Sequence, residues 1–196
     1  MSRKRLERRG RPQREIKPRV IIIGDGETEE DYINRLKKID YFKNVNLKFE
    51  KGDEDNFEIK LKEHLDNIEN VFLILDIDNV KSGDRYQKLA NLINNTNYNI
   101  FYNNRSFETW LLNHKINFSS SIIYSRDYNK HIKTHFAVES WATNKNKNNR
   151  EKIMNQIDVE EVDLAKENIR NISSKSWNEN PSSNMDKFIE KIETIK

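Results

Sequence analysis

Acidic side chains stand at two points where apolar segments of the sequence end. Asp25 directly follows the apolar run Arg19–Gly24, and Asp76 and Asp78 follow the run at 71–75. Residues two apart on an extended chain point to the same side, so Asp76 and Asp78 are expected to aim at one point. Carboxylates placed together repel one another unless a cation lies between them. The pattern predicts a Mg²⁺ (or Mn²⁺) site held by Asp25, Asp76 and Asp78.

The turn after the first apolar run combines glycine with acid. Residues 24–30 read Gly-Asp-Gly-Glu-Thr-Glu-Glu, and the glycines permit a tight strand-to-helix turn. The turn matches neither a Gly-Lys-Ser/Thr phosphate loop nor a Gly-x-Gly-x-x-Gly dinucleotide loop. Acids also stabilise a helix N-terminus through its dipole, which explains Glu30 better than Asp25, because Asp25 precedes the predicted helix cap. Asp25 and Glu29 are therefore candidate catalytic residues, as ligand or base.

A third polar group lies at residues 103–114, after another predicted strand. It contains Glu108 in the first turn of a helix capped by Ser106, and His114 at the end of that helix. Both residue types are also common at helix ends, where they interact with the helix dipole. Near the acids, Glu108 would serve as ligand or base and His114 as a proton shuttle. Lys130 is a candidate to neutralise phosphate charge, with an ordinary surface lysine as the alternative.

These residues need elements that bring their positions together. Apolar runs at 19–24 and 71–75 predict buried strands, and residues 45–49 and 98–102 predict two further strands. Apolar residues at helical spacing predict helices between them, at 29–38 with Thr28 as the cap, near 57–68 and near 86–93. Strands that alternate with helices predict an α/β fold with a mostly parallel sheet, whose ligands bind at the carboxyl ends of the strands.

After residue 115 the pattern is weaker. Residues 144–149 are a low-complexity Asn/Lys segment that predicts a loop, residues 180–183 predict a turn, and 159–172 and 184–195 predict helices. We therefore divide the chain into a basic N-terminal arm (1–18), an α/β core (19–115) and a C-terminal helical elaboration packed on that core (116–196).

Composition limits the classes of protein. The chain has 196 residues, of which 34% are charged and 35% hydrophobic, and it has no cysteine. The lack of cysteine excludes disulfides and zinc–thiolate sites. The apolar runs are too short to cross a bilayer, and the basic N-terminus lacks the apolar segment of a signal peptide. We expect a cytoplasmic protein without a membrane partner.

Positive charge is concentrated at the start of the chain. Residues 1–19 carry nine basic and two acidic side chains, a net charge of +7, so the remainder carries −4 of the overall +3. Such an arm suits a polyanion partner, although it can also be a solvated tail that aids solubility. The predicted nucleic-acid contacts are Arg3, Lys4, Arg5, Arg8, Arg9, Arg11 and, in the body of the chain, Arg105.

Together the motifs resemble the RloB-like family of Toprim-related proteins. The blocks follow in order: the acid-Gly turn at 25–32, Leu-Asp-Ile-Asp at 75–78, Asn-Asn-Arg-Ser-Phe-Glu-Thr-Trp-Leu-Leu-Asn-His at 103–114, Tyr-Asn-Lys at 128–130 and Asn-Pro-Ser-Ser-Asn at 180–184. The resemblance implies a Toprim-like fold, with Asp76 and Asp78 holding Mg²⁺. This chain has Asp25 where the family usually has glutamate, and Asn103 and Arg105 where it usually has serine and proline.

The resemblance also implies a function. Relatives are associated with phage defence, abortive infection and restriction loci, often beside an ABC/AAA-type ATPase, and related Toprim nucleases cut DNA or tRNA. We therefore expect a Mg²⁺-dependent nuclease whose partners are nucleic acid and such an ATPase, and a homo-oligomer is left open. Two alternatives remain: a non-catalytic regulatory or scaffolding module of the ATPase complex, and a phosphotransfer or phosphatase domain with Asp76 as nucleophile.

Overall fold

A five-stranded sheet forms the centre of the computed structural model, which describes residues 17–65 and 70–195. The strand order is β2-β1-β3-β4-β5, and the bounds are β1 (Arg19–Gly24), β2 (Asn46–Lys51), β3 (Val71–Asp76), β4 (Asn99–Asn104) and β5 (Ser182–Ser183). The first four strands are parallel, and β5 is antiparallel to β4. The predicted α/β fold with a mostly parallel sheet flanked by helices is confirmed.

Helices connect the strands and cover the sheet. Their bounds are α1 (Glu27–Lys38), α2 (Phe57–Leu65), α3 (Gly83–Ile93), α4 (Glu108–Asn113), α5 (Tyr128–Phe136), α6 (Lys147–Met154), α7 (Val159–Asn168), α8 (Arg170–Ser173) and α9 (Met185–Glu193). In the part of the chain that the structure covers, no helix has the length and apolarity to cross a membrane.

Both faces of the sheet are buried, as parallel sheets require. Alternate residues of β1 point to opposite faces: Val20 and Ile22 belong to a large apolar cluster, and Ile21 and Ile23 belong to a smaller one. The large cluster contains residues from α1, α4, α5, α6, α7, α8 and α9, and the smaller cluster contains residues from α2 and α3. The ends of the strands are thus the accessible part of the sheet.

Two predicted helix caps are wrong. α1 begins at Glu27 with Gly26 in the cap position, and Thr28 is buried inside the helix. α4 begins at Glu108. The Ser106 hydroxyl donates a hydrogen bond to the carboxylate of Glu108 at 2.6 Å instead of capping the helix backbone.

The segment predicted to be a loop at 144–149 contains the start of α6. Helix α6 begins at Lys147, because the side chain of Asn146 accepts a hydrogen bond from the backbone N–H of Asn149 at 2.9 Å. The predicted turn at 180–183 likewise contains β5, which extends the sheet beyond β4. Most of the N-terminal arm lies outside the described residues, and the division of the chain at residue 115 stays a prediction.

Candidate active site

The carboxyl ends of β1, β3 and β4 meet around a cavity of about 210 Å³. Asp25 follows β1, Asp76 ends β3, and Glu108 begins α4 four residues after β4. Glu29 enters the same cavity from the first turn of α1. The cavity is lined by Asp25, Gly26, Glu27, Thr28, Glu29, Asp76, Phe107, Glu108, Lys145 and Arg150. Four carboxylates predicted from separate parts of the chain are therefore brought together.

Asp76 has the least compensated carboxylate of the cavity. Its Oδ1 atom is buried and has no hydrogen-bond partner within the described ranges. Burial raises the pKa of Asp76 well above its ordinary value, and the negative charges of Glu29, Glu108 and Asp25 raise it further. A buried carboxylate without a donor or a cation is costly, so this position favours either a proton or a bound cation.

Glu29 is also buried, with 4% of its surface exposed. Burial is the main cause that raises the pKa of Glu29 to about 8, and the charges of Asp25 and Glu108 contribute. Asp25 is more exposed, but partial burial of its carboxyl group raises the pKa of Asp25 in the same direction. With a pKa of about 8, Glu29 holds a proton at neutral pH, and a cation in the cavity would compete with that proton.

Glu108 differs from the other three acids because its charge is compensated. Its Oε1 atom accepts hydrogen bonds from Lys145 at 2.5 Å and from the Trp141 indole N–H at 2.7 Å, while Oε2 is bonded to Ser106. Burial by itself raises the pKa of Glu108, but the Lys145 charge and these hydrogen bonds outweigh it and lower the pKa below the ordinary value. Glu108 is thus ionised and fixed in place.

Lys145 and Arg150 are site residues that the sequence did not indicate. Lys145 comes from the Asn/Lys segment between Trp141 and α6, a composition that has no periodicity to distinguish one lysine from another. Arg150 fixes α6 against α1 through Glu27 at 2.7 Å and Asp31 at 2.6 Å. These ion pairs hold the segment that carries Lys145 over the cavity.

Asp78 is not among the residues that line the cavity, although its charge contributes to the raised pKa of both Asp25 and Asp76, and its role as a metal ligand stays a prediction. The extended chain ends at Asp76, and Asp78 has a left-handed backbone with φ 54°. Its Oδ2 atom accepts a hydrogen bond from Nη2 of Arg85 at 3.1 Å, and Arg85 also pairs with Glu54. Asp78 therefore lies outside the cavity with its charge compensated.

The oxygen atoms of the cavity can be compared with the coordination that a divalent ion requires. Within residues 17–65 and 70–195, no three His, Cys, Asp or Glu side chains already stand in an arrangement that could hold a metal. The donor chemistry nevertheless fits Mg²⁺ or Mn²⁺, which prefer carboxylate oxygen and complete their shell with water and phosphate. The buried, unpartnered Oδ1 of Asp76 is the atom that such an ion would satisfy. Asp25, Glu29 and Asp76 would hold it.

The sequence profile described as RloB-like protein matches residues 20–192. This chain belongs to the RloB-like family. The matched region includes all five carboxylates of the cavity lining together with Lys145 and Arg150. No curated protein and no solved structure matches the chain.

Two of the predicted catalytic residues of this RloB-like chain lie away from the cavity lining. His114 is fully buried: its Nδ1–H donates to the carbonyl oxygen of Trp110 at 3.0 Å, and its Nε2 accepts from the Tyr32 hydroxyl at 3.2 Å. Burial lowers the pKa of His114 to about 3. This environment favours a neutral packing residue over a proton shuttle. Lys130 is exposed on α5 and is not among the residues that line the cavity.

The predicted nucleic-acid contacts divide into two groups. Arg105 follows β4 directly, and its guanidinium donates to the carbonyl oxygen of Ile123. Its own carbonyl oxygen accepts from the N–H of Asp78 at 2.9 Å, which places Arg105 beside the acidic edge. The other predicted contacts lie outside the described residues; they are Arg3, Lys4, Arg5, Arg8, Arg9 and Arg11.

Proposed function

We propose that this member of the RloB-like family is a Mg²⁺- or Mn²⁺-dependent nuclease that hydrolyses phosphodiester bonds of DNA or RNA, tRNA included. One observation carries the proposal: the buried Asp76 carboxylate, with one oxygen unpartnered, faces a cavity shared with Asp25, Glu29 and Glu108. The phage-defence setting, the cytoplasmic location and the ABC/AAA-type ATPase partner are part of the proposal and rest on the resemblance of the motifs alone.

Asp25, Glu29 and Asp76 are assigned to the cation. When bound, a divalent ion supplies positive charge that polarises the scissile phosphate and orients the attacking water. The protein contributes a rigid arrangement of oxygen donors on two strand ends and one helix. Because Glu29 holds a proton with a pKa of about 8, cation binding is linked to release of that proton.

Lys145 takes the phosphate-facing role that the sequence suggested for Lys130. Its side chain is 43% exposed, whereas that of Glu108 is 3% exposed, so the ammonium group lies between the buried acid and the cavity mouth. In the free protein Glu108 holds this ammonium group in place. A phosphate oxygen that enters the cavity meets a positive charge on an otherwise acidic wall, which favours binding and stabilises the charge that develops in the transition state.

The phosphotransfer domain with Asp76 as nucleophile is the second candidate. The presence of Lys145 beside the acids favours it, because such a domain needs a lysine from a later part of the chain. A covalent phosphoryl group on Asp76 after incubation with acetyl phosphate would support this function. The non-catalytic module is less well supported, because a purely structural Asp76 would be expected to satisfy both oxygens.

The test is a cleavage assay on the full chain, with and without an ABC/AAA-type ATPase of the proposed kind. Single-stranded DNA, plasmid and tRNA are incubated in Mg²⁺ or Mn²⁺ with the wild type, Asp76→Asn and, as a matched control, Asp84→Asn on the exposed start of α3. We expect Asp76→Asn to lower the rate by about 100-fold or more, since it removes a ligand charge, and Asp84→Asn to leave the rate unchanged.

EDTA should abolish cleavage by the wild type. Cleavage that survives both EDTA and Asp76→Asn would exclude the metal mechanism. Absence of cleavage with every substrate, also in the presence of the ATPase, would favour the regulatory module.

A further inference from the structure

Two large apolar side chains are exposed side by side near the acidic edge. Ile123 is 63% and Tyr124 55% exposed, and both precede a 3₁₀ turn at Ser125–Asp127. Their backbone is well fixed: the N–H of Tyr124 donates to the Asp127 carboxylate at 3.0 Å, and the N–H of Asp127 donates back to the Tyr124 carbonyl oxygen at 2.9 Å. The side chains are thus presented to solvent by an ordered turn.

The residue before the pair anchors it to the body of the protein. Ile122 is buried, and its backbone pairs with the Asn180 side chain, whose amide donates to the Ile122 carbonyl oxygen at 2.7 Å and whose oxygen accepts from the Ile122 N–H at 3.4 Å. A preformed exposed aromatic ring loses little conformational entropy when a ligand covers it.

Two arginines lie close to this exposed pair. The guanidinium carbon of Arg126 lies 4.8 Å from the centre of the Tyr124 ring. Arg105 donates to the backbone carbonyl oxygen of Ile123, and its own carbonyl oxygen accepts from the N–H of Asp78. We call Ile123, Tyr124 and Arg126 the Tyr124 platform. Arg105 connects it to the edge of the sheet that carries the cavity.

We infer that the Tyr124 platform binds an unpaired base of single-stranded nucleic acid next to the cavity. Exposed aromatic rings with flanking arginines bind single strands because every base has a face that stacks and every linkage a phosphate that pairs with a cation. A paired, stacked duplex does not offer that face. The inference rests on the proposed nuclease function and names its substrate class: single-stranded segments such as loops and overhangs.

The arginines near the Tyr124 platform also offset the negative charge of the cavity. Of the acids Asp25, Glu29, Asp76 and Glu108, only Glu108 has a lysine partner among the lining residues described above. An acidic cavity repels phosphates at neighbouring positions of the strand unless cations lie nearby. Arg126 supplies such a charge beside the ring, and Arg105 supplies one at the backbone of Ile123, so base stacking and phosphate pairing can act on the same nucleotide.

The test measures binding separately from cleavage. Fluorescence anisotropy with a labelled 12-nucleotide single strand and with the matching hairpin duplex is measured on the full chain in EDTA at about 150 mM salt, which weakens purely electrostatic binding. The variants are Tyr124→Ala, Tyr124→Phe and Arg126→Gln. Ile59→Ala on α2, which is 58% exposed, is the control for loss of an exposed apolar side chain, and Arg170→Gln on α8 is the control for loss of an exposed arginine.

We expect Tyr124→Ala to weaken single-strand binding by about 5- to 20-fold, with Tyr124→Phe within about twofold of the wild type because it keeps the ring. Arg126→Gln should lower the slope of log affinity against log salt by about 0.7. Both control variants should bind like the wild type. Duplex affinity should change by less than about twofold in Tyr124→Ala, since a stacked duplex has no free base face.

Equal affinity of Tyr124→Ala and wild type for the single strand would overturn the inference. So would a Tyr124→Ala variant that loses only self-association or ATPase binding, because the platform would then be a protein interface. The proposed function is judged by a different result. Single-strand binding that depends on Tyr124, without any cleavage, would support the platform and contradict the nuclease function. Cleavage by Tyr124→Ala at the wild-type rate and positions, with unchanged affinity, would support the nuclease function and contradict the platform.

Discussion

The chemistry of the cavity depends on individual carboxyl groups that are shielded from water but have few hydrogen-bond donors or cations to replace it. Lys145, Trp141 and Ser106 compensate Glu108 only. The pKa values of Asp76 and Glu29 are raised because both groups are buried among like charges. In the free protein these acids oppose folding once they ionise, and the proposed divalent ion would reverse that effect.

The pH dependence of the free energy of unfolding should show that ionisation of Glu29 destabilises the folded protein. Its folded pKa of about 8 lies above its ordinary value of 4.5, so below pH 4.5 the group is neutral in both the folded and the unfolded chain. Between these values the unfolded chain loses the proton while the folded chain keeps it, and the free energy of unfolding falls as pH rises. Glu29→Gln should remove much of this fall and stabilise the protein at pH 8 by about 2 kcal/mol, measured by urea unfolding in EDTA.

The matched control is Glu63→Gln, on the exposed side of α2, which should keep the wild-type pH profile. A second readout is the melting temperature in MgCl₂. Since the ion competes with protons, Mg²⁺ should raise the melting temperature more at pH 8 than at pH 6. Identical pH profiles for the wild type and Glu29→Gln would contradict the assignment of the raised pKa to this residue.

Among the secondary-structure elements, the strands that could be predicted are the buried ones, because they are continuous apolar runs in the sequence. β1 and β3 are nearly continuous hydrophobic segments, so their positions and parallel arrangement follow from sequence alone. β5 has only two serines and no apolar pattern. Its backbone pairs with β4 over two residues, and side chains add to this short ladder: the Ser183 hydroxyl donates to the Asn103 side-chain oxygen at 2.8 Å.

The same limit applies to the site. Strand ends and acid spacing identified Asp25, Glu29, Asp76 and Glu108, because the topology of a parallel sheet brings strand ends together. The position of Asp78 outside the lining could not be predicted, because the left-handed backbone after Asp76 has no signal in an Asp-x-Asp spacing. Lys145 was missed for a related reason. Its position depends on the ion pairs of α6, which join residues more than a hundred positions apart.

Asn184 provides a test of the side-chain ladder at β4. Its side-chain oxygen accepts from the N–H of Tyr102 at 2.7 Å, and its amide donates to the carbonyl oxygen of Ile100 at 3.3 Å. Asn184→Ala leaves both buried backbone groups unpaired, so we expect a loss of about 2–3 kcal/mol in the free energy of unfolding. Asn155→Ala, at an exposed asparagine after α6, should change it by less than about 0.5 kcal/mol. Equal losses in urea unfolding would contradict the assigned role of Asn184.

At the scale of the whole molecule, positive charge is concentrated in the N-terminal arm and negative charge in the cavity. The first 19 residues carry +7 and the remaining residues −4, while the cavity itself is acidic. Under the proposed function, a basic arm that attracts phosphates and a cavity that repels them until a cation arrives would separate capture of the polyanion from its hydrolysis. The Tyr124 platform lies on the body of the protein and is distinct from this arm.

Neutralising the arm should weaken binding without regard to base sequence. Replacing Arg3, Arg5, Arg8 and Arg9 by Gln should lower the slope of log affinity against log salt by about 3 for single strands, because each lost phosphate contact contributes about 0.7. The control replaces four exposed lysines of the body by Gln: Lys37, Lys38, Lys187 and Lys191. Salt-dependent anisotropy measures both, and equal slopes in the arm variant and the wild type would refute a binding role for the arm.

The cavity takes its acids from residues 25–108 and its two cations, Lys145 and Arg150, from a later part of the chain. During translation the acids therefore leave the ribosome first, and a nascent polypeptide that ends near residue 115 has neither the lysine that steadies Glu108 nor the arginine that holds α6 against α1. The ribosome is surrounded by messenger and transfer RNA, the kind of polymer that the proposed nuclease would cut. Under the proposed function, the order of synthesis would therefore delay completion of the site until residue 150 has been added.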